Sequence, residues 1–247
     1  MLKDKVALVT GAATGIGEGI ARLFAEQGAR VFLLDRDAEL NQATAASIRE
    51  QSGVARAHTV DVCDPGAIAT AVNAAMREFR RIDILVNNAG IFPRRRFVEM
   101  SEAEWDQMHN VNVKSMFHSI QAVVPHMIAR RSGKIVNISS VTFHIGLPNM
   151  GHYISSKGGV IGLTRALARE FGADGVYVNC ITPGAIHTES EKNFVTPEDI
   201  RKFLESQCIQ RRMTPLDIAR TALFLSSELS DGLTGQTLNV DGGWVMH

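Results

Sequence analysis

Between residues 5 and 35 the chain passes from one short apolar stretch to another through a cluster of glycines, and few folds accept that order. Lys5-Val-Ala-Leu-Val-Thr10 is a continuous apolar run. It predicts a strand buried on both faces, as a parallel sheet requires. Ile20, Leu23 and Phe24 then fall at helical spacing, and Gly28 stops that helix. Arg30-Val-Phe-Leu-Leu-Asp35 reads as a second buried strand, which completes a β-α-β unit. The glycines stand as Gly11-x-x-x-Gly15-x-Gly17, a spacing different from the common G-x-G-x-x-G fingerprint. The physics is the same: the backbone turns sharply, and the free N–H groups of a helix N-terminus meet a pyrophosphate. Gly11, Thr14, Gly15, Ile16 and Gly17 are therefore candidate dinucleotide-binding residues.

Asp35 ends the second strand. A carboxylate there accepts hydrogen bonds from both hydroxyls of an adenosine ribose and repels a 2′-phosphate, which favours NAD over NADP. Arg36 follows directly, and its guanidinium argues for the phosphate and so for NADP; strand-end geometry gives Asp35 the greater weight. A helix is expected from Asp37 to Gln51 and a third strand from Ala57 to Val62. Asp61 either reaches the adenine amino group, with Val62 against the ring, or caps the next turn. Pro65 opens a helix running to Arg80.

Ile82-Asp-Ile-Leu-Val-Asn87 reads as strand four and delivers Asn87-Asn88-Ala89-Gly90 at its C-terminal end, the ligand side of a parallel sheet. The small Ala89-Gly90 pair leaves room for a cofactor, and asparagines there can tie neighbouring strands. Ser101-Glu-Ala-Glu104 has the form of a capping box for a long helical region reaching Arg131. Pro125 predicts a kink or break in it, Gly133 its end, and Asn112 is locally unfavourable inside it. Strand five is expected over Lys134 to Ser140, a loop over Val141 to His152, and a helix from Tyr153 to Gly172. Val176 to Thr182 and Gly235 to Asp241 complete seven strands, the last followed by Gly242-Gly243. Pro197 and Pro215 start helices, and the charged stretch at about 185–210 lies where a substrate lid would sit. The whole of 1–247 reads as a single dinucleotide-binding and catalytic domain.

Tyr153 and Lys157 sit one helical turn apart on one face. An ammonium beside a phenol favours phenolate and lowers its pKa from about 10 toward neutrality. Such a tyrosine takes a proton from an alcohol or gives one to a carbonyl near neutral pH. Only two tyrosines occur, and Tyr177 lies in an apolar strand-like run.

Composition narrows the classes further. Lys+Arg and Asp+Glu are equal at 26 each, so the chain has no basic footprint for nucleic acid or an anionic membrane. No apolar run approaches the roughly 18 residues of a membrane span. Three scattered cysteines and eight histidines without ligand spacing predict neither a disulfide framework nor a metal. A cytoplasmic location is the expectation.

With the glycine loop, Asn87-Asn-Ala-Gly90, Ser140, Tyr153/Lys157 and Pro183-Gly184 in this order, the sequence resembles the short-chain dehydrogenase/reductase (SDR) family along essentially its whole length. The resemblance implies a Rossmann-type α/β fold, a doubly wound parallel sheet in the order 3-2-1-4-5-6-7, and a homotetramer. It implies Tyr153 as general acid–base, and Lys157 as the group that lowers its pKa and holds the nicotinamide ribose. It implies Ser140, rather than Ser139, as hydrogen-bond donor to the reacting oxygen, and Asn112 as support for a proton-relay water. In the run Pro183-Gly-Ala-Ile-His-Thr188 it places Pro183, Gly184, Ile186 and Thr188 on the cofactor, along with Asn88, Ala89 and Gly90. Thr188 matches the position that contacts the carboxamide and diphosphate region.

The substrate is the least constrained feature. Candidate contacts beside Ser140 and Tyr153 are His144, Asn149, His152, His187 and one of Arg94, Arg95 and Arg96. That polar set suggests a small sugar or polyol bearing an anionic group. One rival is a 3-oxoacyl-thioester reductase using NADPH, against which Asp35 counts. The other is a non-catalytic dinucleotide-binding regulator, which would be expected to lack Tyr153 or Lys157.

Overall fold

The computed structural model describes residues 1–189, 191 and 195–246. Residues 190 and 192–194 of the expected lid stretch lie outside the described residues. The strands are β1 (Val6–Thr10), β2 (Arg30–Asp35), β3 (Val54–Thr59), β4 (Ile84–Asn87), β5 (Gly133–Ile138), β6 (Val176–Pro183) and β7 (Thr237–Val240). They form one seven-stranded sheet in the order β3-β2-β1-β4-β5-β6-β7, with every pairing parallel. The helices between them are α1 (Gly15–Glu26), α2 (Ala38–Glu50), α3 (Pro65–Phe79), α4 (Glu102–His109) and α5 (Ser115–Ala129). They continue as α6 (Thr142–Ile145), α7 (Gly151–Phe171), α8 (Pro197–Ser206) and α9 (Pro215–Ser226). This is a Rossmann fold.

The unbroken apolar strands are explained by the neighbours each face meets. Ala7 and Val9 of β1 pack with Ile20 and Phe24 of α1 and Ile218 of α9. Val6 and Leu8, pointing the other way, pack with Ile68 and Val72 of α3 and Ile120 of α5. In β2, Val31 and Leu33 join the first cluster and Phe32 and Leu34 the second. A strand with helices on both sides has no polar face to alternate.

Local signals set the helix starts. Pro65 stands in the first turn of α3 while the Asp64 side chain accepts from the backbone N–H groups of Gly66 and Ala67. Ser101 and Glu104 form the reciprocal capping box expected at α4.

Several boundaries differ from expectation. The third strand is Val54–Thr59, so Asp61 and Val62 lie beyond it rather than within it. Pro125 lies inside α5, and the helical region is interrupted earlier, by a π-helical turn over Asn110–Lys114. That wider turn places Asn112 inward, fully buried. Gly133 begins β5 instead of ending a helix, and the expected loop at 141–152 contains α6 and the first turn of α7.

The order of the strands makes the site. β1 neighbours both β2 and β4, so successive connections leave it in opposite directions. A crevice opens at that switch, outside the C-terminal ends of β1 and β4. Just before the N-terminal end of β4 the buried Asp83 ties that strand to the start of β1. It accepts from Val6 N at 2.8 Å and Arg130 Nη2 at 2.9 Å, and from Arg81 Nε. Both arginines keep solvent contact, so Asp83→Ala is expected to cost about 2–3 kcal/mol, below the ~3–5 typical of a fully buried pair. Urea denaturation of the variant against the parent chain measures it.

Candidate active site

The crevice floor is held by side chains where strand pairing stops. Thr10 Oγ1 accepts from the backbone N–H of Asn88 at 3.0 Å and of Ala89 at 3.1 Å. Asn88 Nδ2 donates to the carbonyls of Thr10 at 3.1 Å and Gly11 at 2.9 Å. Asn87 donates to Asn137 on β5 and accepts from Ser119 on α5. The asparagine pair thus ties β4 to both neighbouring strands and the glycine loop.

A cavity of about 500 Å³ runs across this floor. At one end it is lined by Gly11, Thr14, Gly15, Ile16, Asp35 and Arg36, and farther along by Asn88, Ala89, Gly90, Pro183, Gly184, Ile186 and Thr188. Three features of this end fit a dinucleotide. The N-terminus of α1 carries no side-chain cap, so its first N–H groups face the cavity without a protein acceptor at Thr14. Gly15 has φ +62°, and a Cβ there would come within 3.4 Å of the Thr188 methyl, filling the cradle. Asp35 is fixed by two backbone donors, Ala13 N and Asp37 N, each at 3.0 Å. Each oxygen keeps a lone pair for a ribose hydroxyl. Gly17 does not line the cavity; a Cβ on it would stand 2.0 Å from the Gly11 carbonyl, so it lets α1 close on the loop.

Asp61 and Val62 are not brought in. Asp61 accepts from Cys63 N at 2.9 Å, the turn-capping role, and Val62 packs in the core. Neither lines the cavity.

At the other end Ser140, Tyr153 and Lys157 converge on the same cavity. α7 carries the latter two on one face, and Ser140 follows β5. Ser139 also lines the cavity, but its hydroxyl is committed to the Lys157 carbonyl, to which it donates at 2.8 Å. Ser140 Oγ accepts from Thr142 Oγ1 at 2.9 Å, which leaves its own proton for another partner.

The electrostatics differ from expectation. Burial pushes the Tyr153 phenol above its usual pKa, only partly offset by a hydrogen bond with Ser140. Burial also pulls Lys157 down to about 8. The reason is geometric: Lys157 Nζ donates to the Ile138 carbonyl at 2.9 Å and stands 5.6 Å from the Tyr153 ring centre. In the protein alone each group is held toward its neutral form.

Asn112 acts on backbone. Its Oδ1 accepts from Ile91 N and its Nδ2 donates to Ile91 O, both at 2.9 Å, and Nδ2 also reaches Ser156 on α7 at 3.1 Å. It therefore clamps the segment after Gly90 to the helix bearing Tyr153. A Cβ on Gly90 would stand 3.3 Å from Asn112 Oδ1 and 3.5 Å from Lys157 Nζ.

The expected substrate residues divide. Arg94 lines the cavity. Arg95 is paired with Glu104 at 2.9 Å and Arg96 with Glu99 at 3.1 Å, both outside it. His144, Asn149, His152 and His187 do not line it either. His152 is buried in α7, His187 faces outward 3.7 Å from Glu191, and the Asn149 carbonyl accepts from Arg95 N. In their place the lining includes Phe92, Leu147, Met150, Val195, Phe203 and Trp244, with Glu191. Sequence reasoning missed this apolar wall. One signal was present: Trp244, one of two tryptophans, directly follows Gly242-Gly243.

A lysine whose folded pKa lies below its unfolded one carries a penalty at low pH that is relieved as pH rises between the two values. Relative to Lys157→Met, the parent chain should gain about 1.4 kcal/mol per pH unit from pH about 8 to about 10.5. Paired denaturation curves across that range test it; a flat difference would show that Lys157 is not buried as described.

The chain is similar to known proteins along almost its whole length. A family model described as enoyl-(acyl carrier protein) reductase matches residues 11–245. The chain is 40% identical to a 3-oxoacyl-[acyl-carrier-protein] reductase of Chlamydia trachomatis, covering 98% of both chains. It is 37% identical to a D-xylose 1-dehydrogenase of Caulobacter vibrioides, covering 98% of this chain and 96% of that one. It superimposes on a 7α-hydroxysteroid dehydrogenase complexed with NADH and 7-oxo glycochenodeoxycholic acid, with a TM-score of 0.96 and 36% identity. That match covers 100% of this chain and 96% of the other. With the crevice, the glycine loop and the serine–tyrosine–lysine cluster in one cavity, the chain belongs to the short-chain dehydrogenase/reductase family and is a nicotinamide-dinucleotide oxidoreductase.

Proposed function

We propose that this protein is an NAD-linked dehydrogenase interconverting a secondary alcohol and its ketone. The observation that carries the reading is the convergence of Ser140, Tyr153 and Lys157 on one cavity whose far end is the glycine loop and Asp35. The nicotinamide, when bound, accepts the carbinol hydrogen as hydride or returns it in the reverse direction. Tyr153 takes the hydroxyl proton, and Ser140 donates a hydrogen bond to the reacting oxygen. Lys157 would hold the ribose hydroxyls of a bound cofactor, and its positive charge beside the phenol offsets the burial that raises the phenol's pKa. Asn112 holds the floor so that these groups keep their spacing.

NAD is preferred on this reading because Asp35 is oriented by two backbone N–H groups, whereas Arg36 lies on the exposed rim. A small hydroxy compound bearing an anionic group is supported by Arg94 at the cavity. The D-xylose 1-dehydrogenase relative supports a sugar-sized one, although the histidines and Asn149 that suggested it stand elsewhere. Family membership supports one catalytic domain, a homotetramer and a cytoplasmic location, and segment 185–210 is read as the lid over the site. A second reading, a 3-oxoacyl-thioester reductase using NADPH, is favoured by the reductase relative and by Arg36 in the lining.

Two outcomes are expected. Tyr153→Phe should bind NADH as the parent does, by calorimetric titration, while kcat falls about 10²–10⁴-fold. Across a panel of sugars, sugar acids, diols and secondary alcohols, NAD should exceed NADP in kcat/KM by about tenfold or more, and Asp35→Ser should narrow that ratio. Turnover confined to NADPH and a keto-thioester would replace this reading with the second.

A further inference from the structure

The end of the cavity beyond Tyr153 is built from two unlike parts. One is a cation. Arg94 lines the cavity, and no carboxylate among the described residues lies within ion-pair distance of it, in contrast to Arg95 and Arg96. Asp199, in the first turn of α8, interacts with it through charge alone. Its carboxyl is held below its usual range by the Thr196 backbone and hydroxyl, and then by Arg94. Oδ2 of that carboxylate already accepts from Thr196 N at 2.9 Å and Thr196 Oγ1 at 2.7 Å. Glu191, which lines the cavity together with Asp35 of the glycine-loop end, is paired with Arg212. Among the described residues Arg94 therefore has no ion pair, and Asp199 acts on it only through longer-range attraction.

The other part is an aromatic wall with dedicated support. Gly242 and Gly243 both take left-handed backbone, φ +71° and +79°, which side-chain-bearing residues rarely adopt. Buried Asp241 accepts from Gly243 N at 3.0 Å and from Val245 N at 2.9 Å, on either side of the tryptophan. The Gly242 carbonyl accepts from Ile209 N, just past α8, at 2.8 Å. This turn sets the Trp244 indole into the cavity with Phe203 of α8 beside it, ring centres 5.4 Å apart.

We propose that the substrate is a hydroxy or oxo acid with an apolar arm, its oxyanion held by Arg94 and its hydrocarbon, aryl or alkyl, held against Trp244 and Phe203. The inference rests on the Tyr153-centred dehydrogenase reading and names its substrate class. A guanidinium pairs bidentately with a planar carboxylate, and an indole supplies a large flat apolar contact. A fully hydroxylated sugar would leave its hydroxyls unpaired against that wall, which is unfavourable.

The test uses the whole chain with NAD and four racemic alcohols: 3-hydroxy-3-phenylpropanoate, its methyl ester, 3-hydroxybutanoate and glycerate. The aryl acid should give the highest kcat/KM, with the ester lower by about tenfold or more. Arg94→Gln should bring the acid-to-ester ratio near one, and Trp244→Ala should remove the preference for the phenyl over the methyl acid. Binding is read without turnover from tryptophan fluorescence of the NADH-loaded protein, titrated with 3-phenylpropanoate and with 3-phenylpropan-1-ol. The acid should bind about tenfold tighter or more, and Arg94→Gln should abolish the difference. Equal treatment of acid and neutral partner in both measurements, or glycerate as the best substrate, overturns the inference and leaves the dehydrogenase reading standing. Selective binding of the acid with no alcohol oxidised would instead keep the pocket assignment and overturn the dehydrogenase reading.

Discussion

Where β1 and β4 end, the sheet has no further strand pairing to hold the two chains together, and Thr10 and Asn88 take over. One hydroxyl and one amide make four contacts there with the backbone of the opposite strand or its loop. Everything on the ligand side is placed relative to this knot. The glycine loop leaves it in one direction, Ala89 and Gly90 in the other, and Asn112 fastens the latter to α7. The geometry between a dinucleotide at the loop and a phenol on α7 is thus set by short, buried, polar contacts. Such contacts tolerate little displacement, because a lost partner leaves an unsatisfied buried group.

Tyr153 and Lys157 are tuned by burial first and by neighbouring groups second. Tyr153 is pushed up and Lys157 down, and both shifts have desolvation as their leading cause. At neutral pH the phenol is then neutral, while Lys157, with a pKa of about 8, remains mostly protonated. Charge arriving in the cavity changes the balance for both residues at once, so the cluster is responsive to occupancy in a way that an exposed tyrosine and lysine would not be.

Much of the fold was legible in the sequence because its signals are local. Continuous apolar runs mark doubly covered strands, prolines and capping acids mark helix starts, and the strand order follows from the family resemblance. Ser140, Tyr153, Lys157 and the glycine-loop residues Gly11 and Gly15, which the sequence marks by residue type and close spacing, line one cavity. The misplaced features depend on long-range contacts. Pro125 is a strong local breaker, yet α5 continues through it, while the real interruption at Asn110–Lys114 is where Asn112 bonds Ile91, distant in sequence. His144, Asn149, His152 and His187 lie in segments that flank the site along the chain, and position along the chain says nothing of side-chain direction. Phe203 and Trp244 come from segments far apart in sequence and meet only in three dimensions.

The π-helical turn between α4 and α5 bears on redesign. A regular α-helix through the same segment would be the better local structure by backbone geometry, and removing one residue would produce it. Each residue removed rotates the upstream helix by about 100° relative to the downstream one. Asn112 would then leave Ile91, and the strand exit beside Gly90 would lose its tether to α7. Optimising this stretch for helix regularity would therefore trade a better local backbone for unsatisfied buried groups on Asn112 and a slack site. The irregular turn works as a spacer of fixed pitch, kept for the angle it sets and not for the stability it contributes.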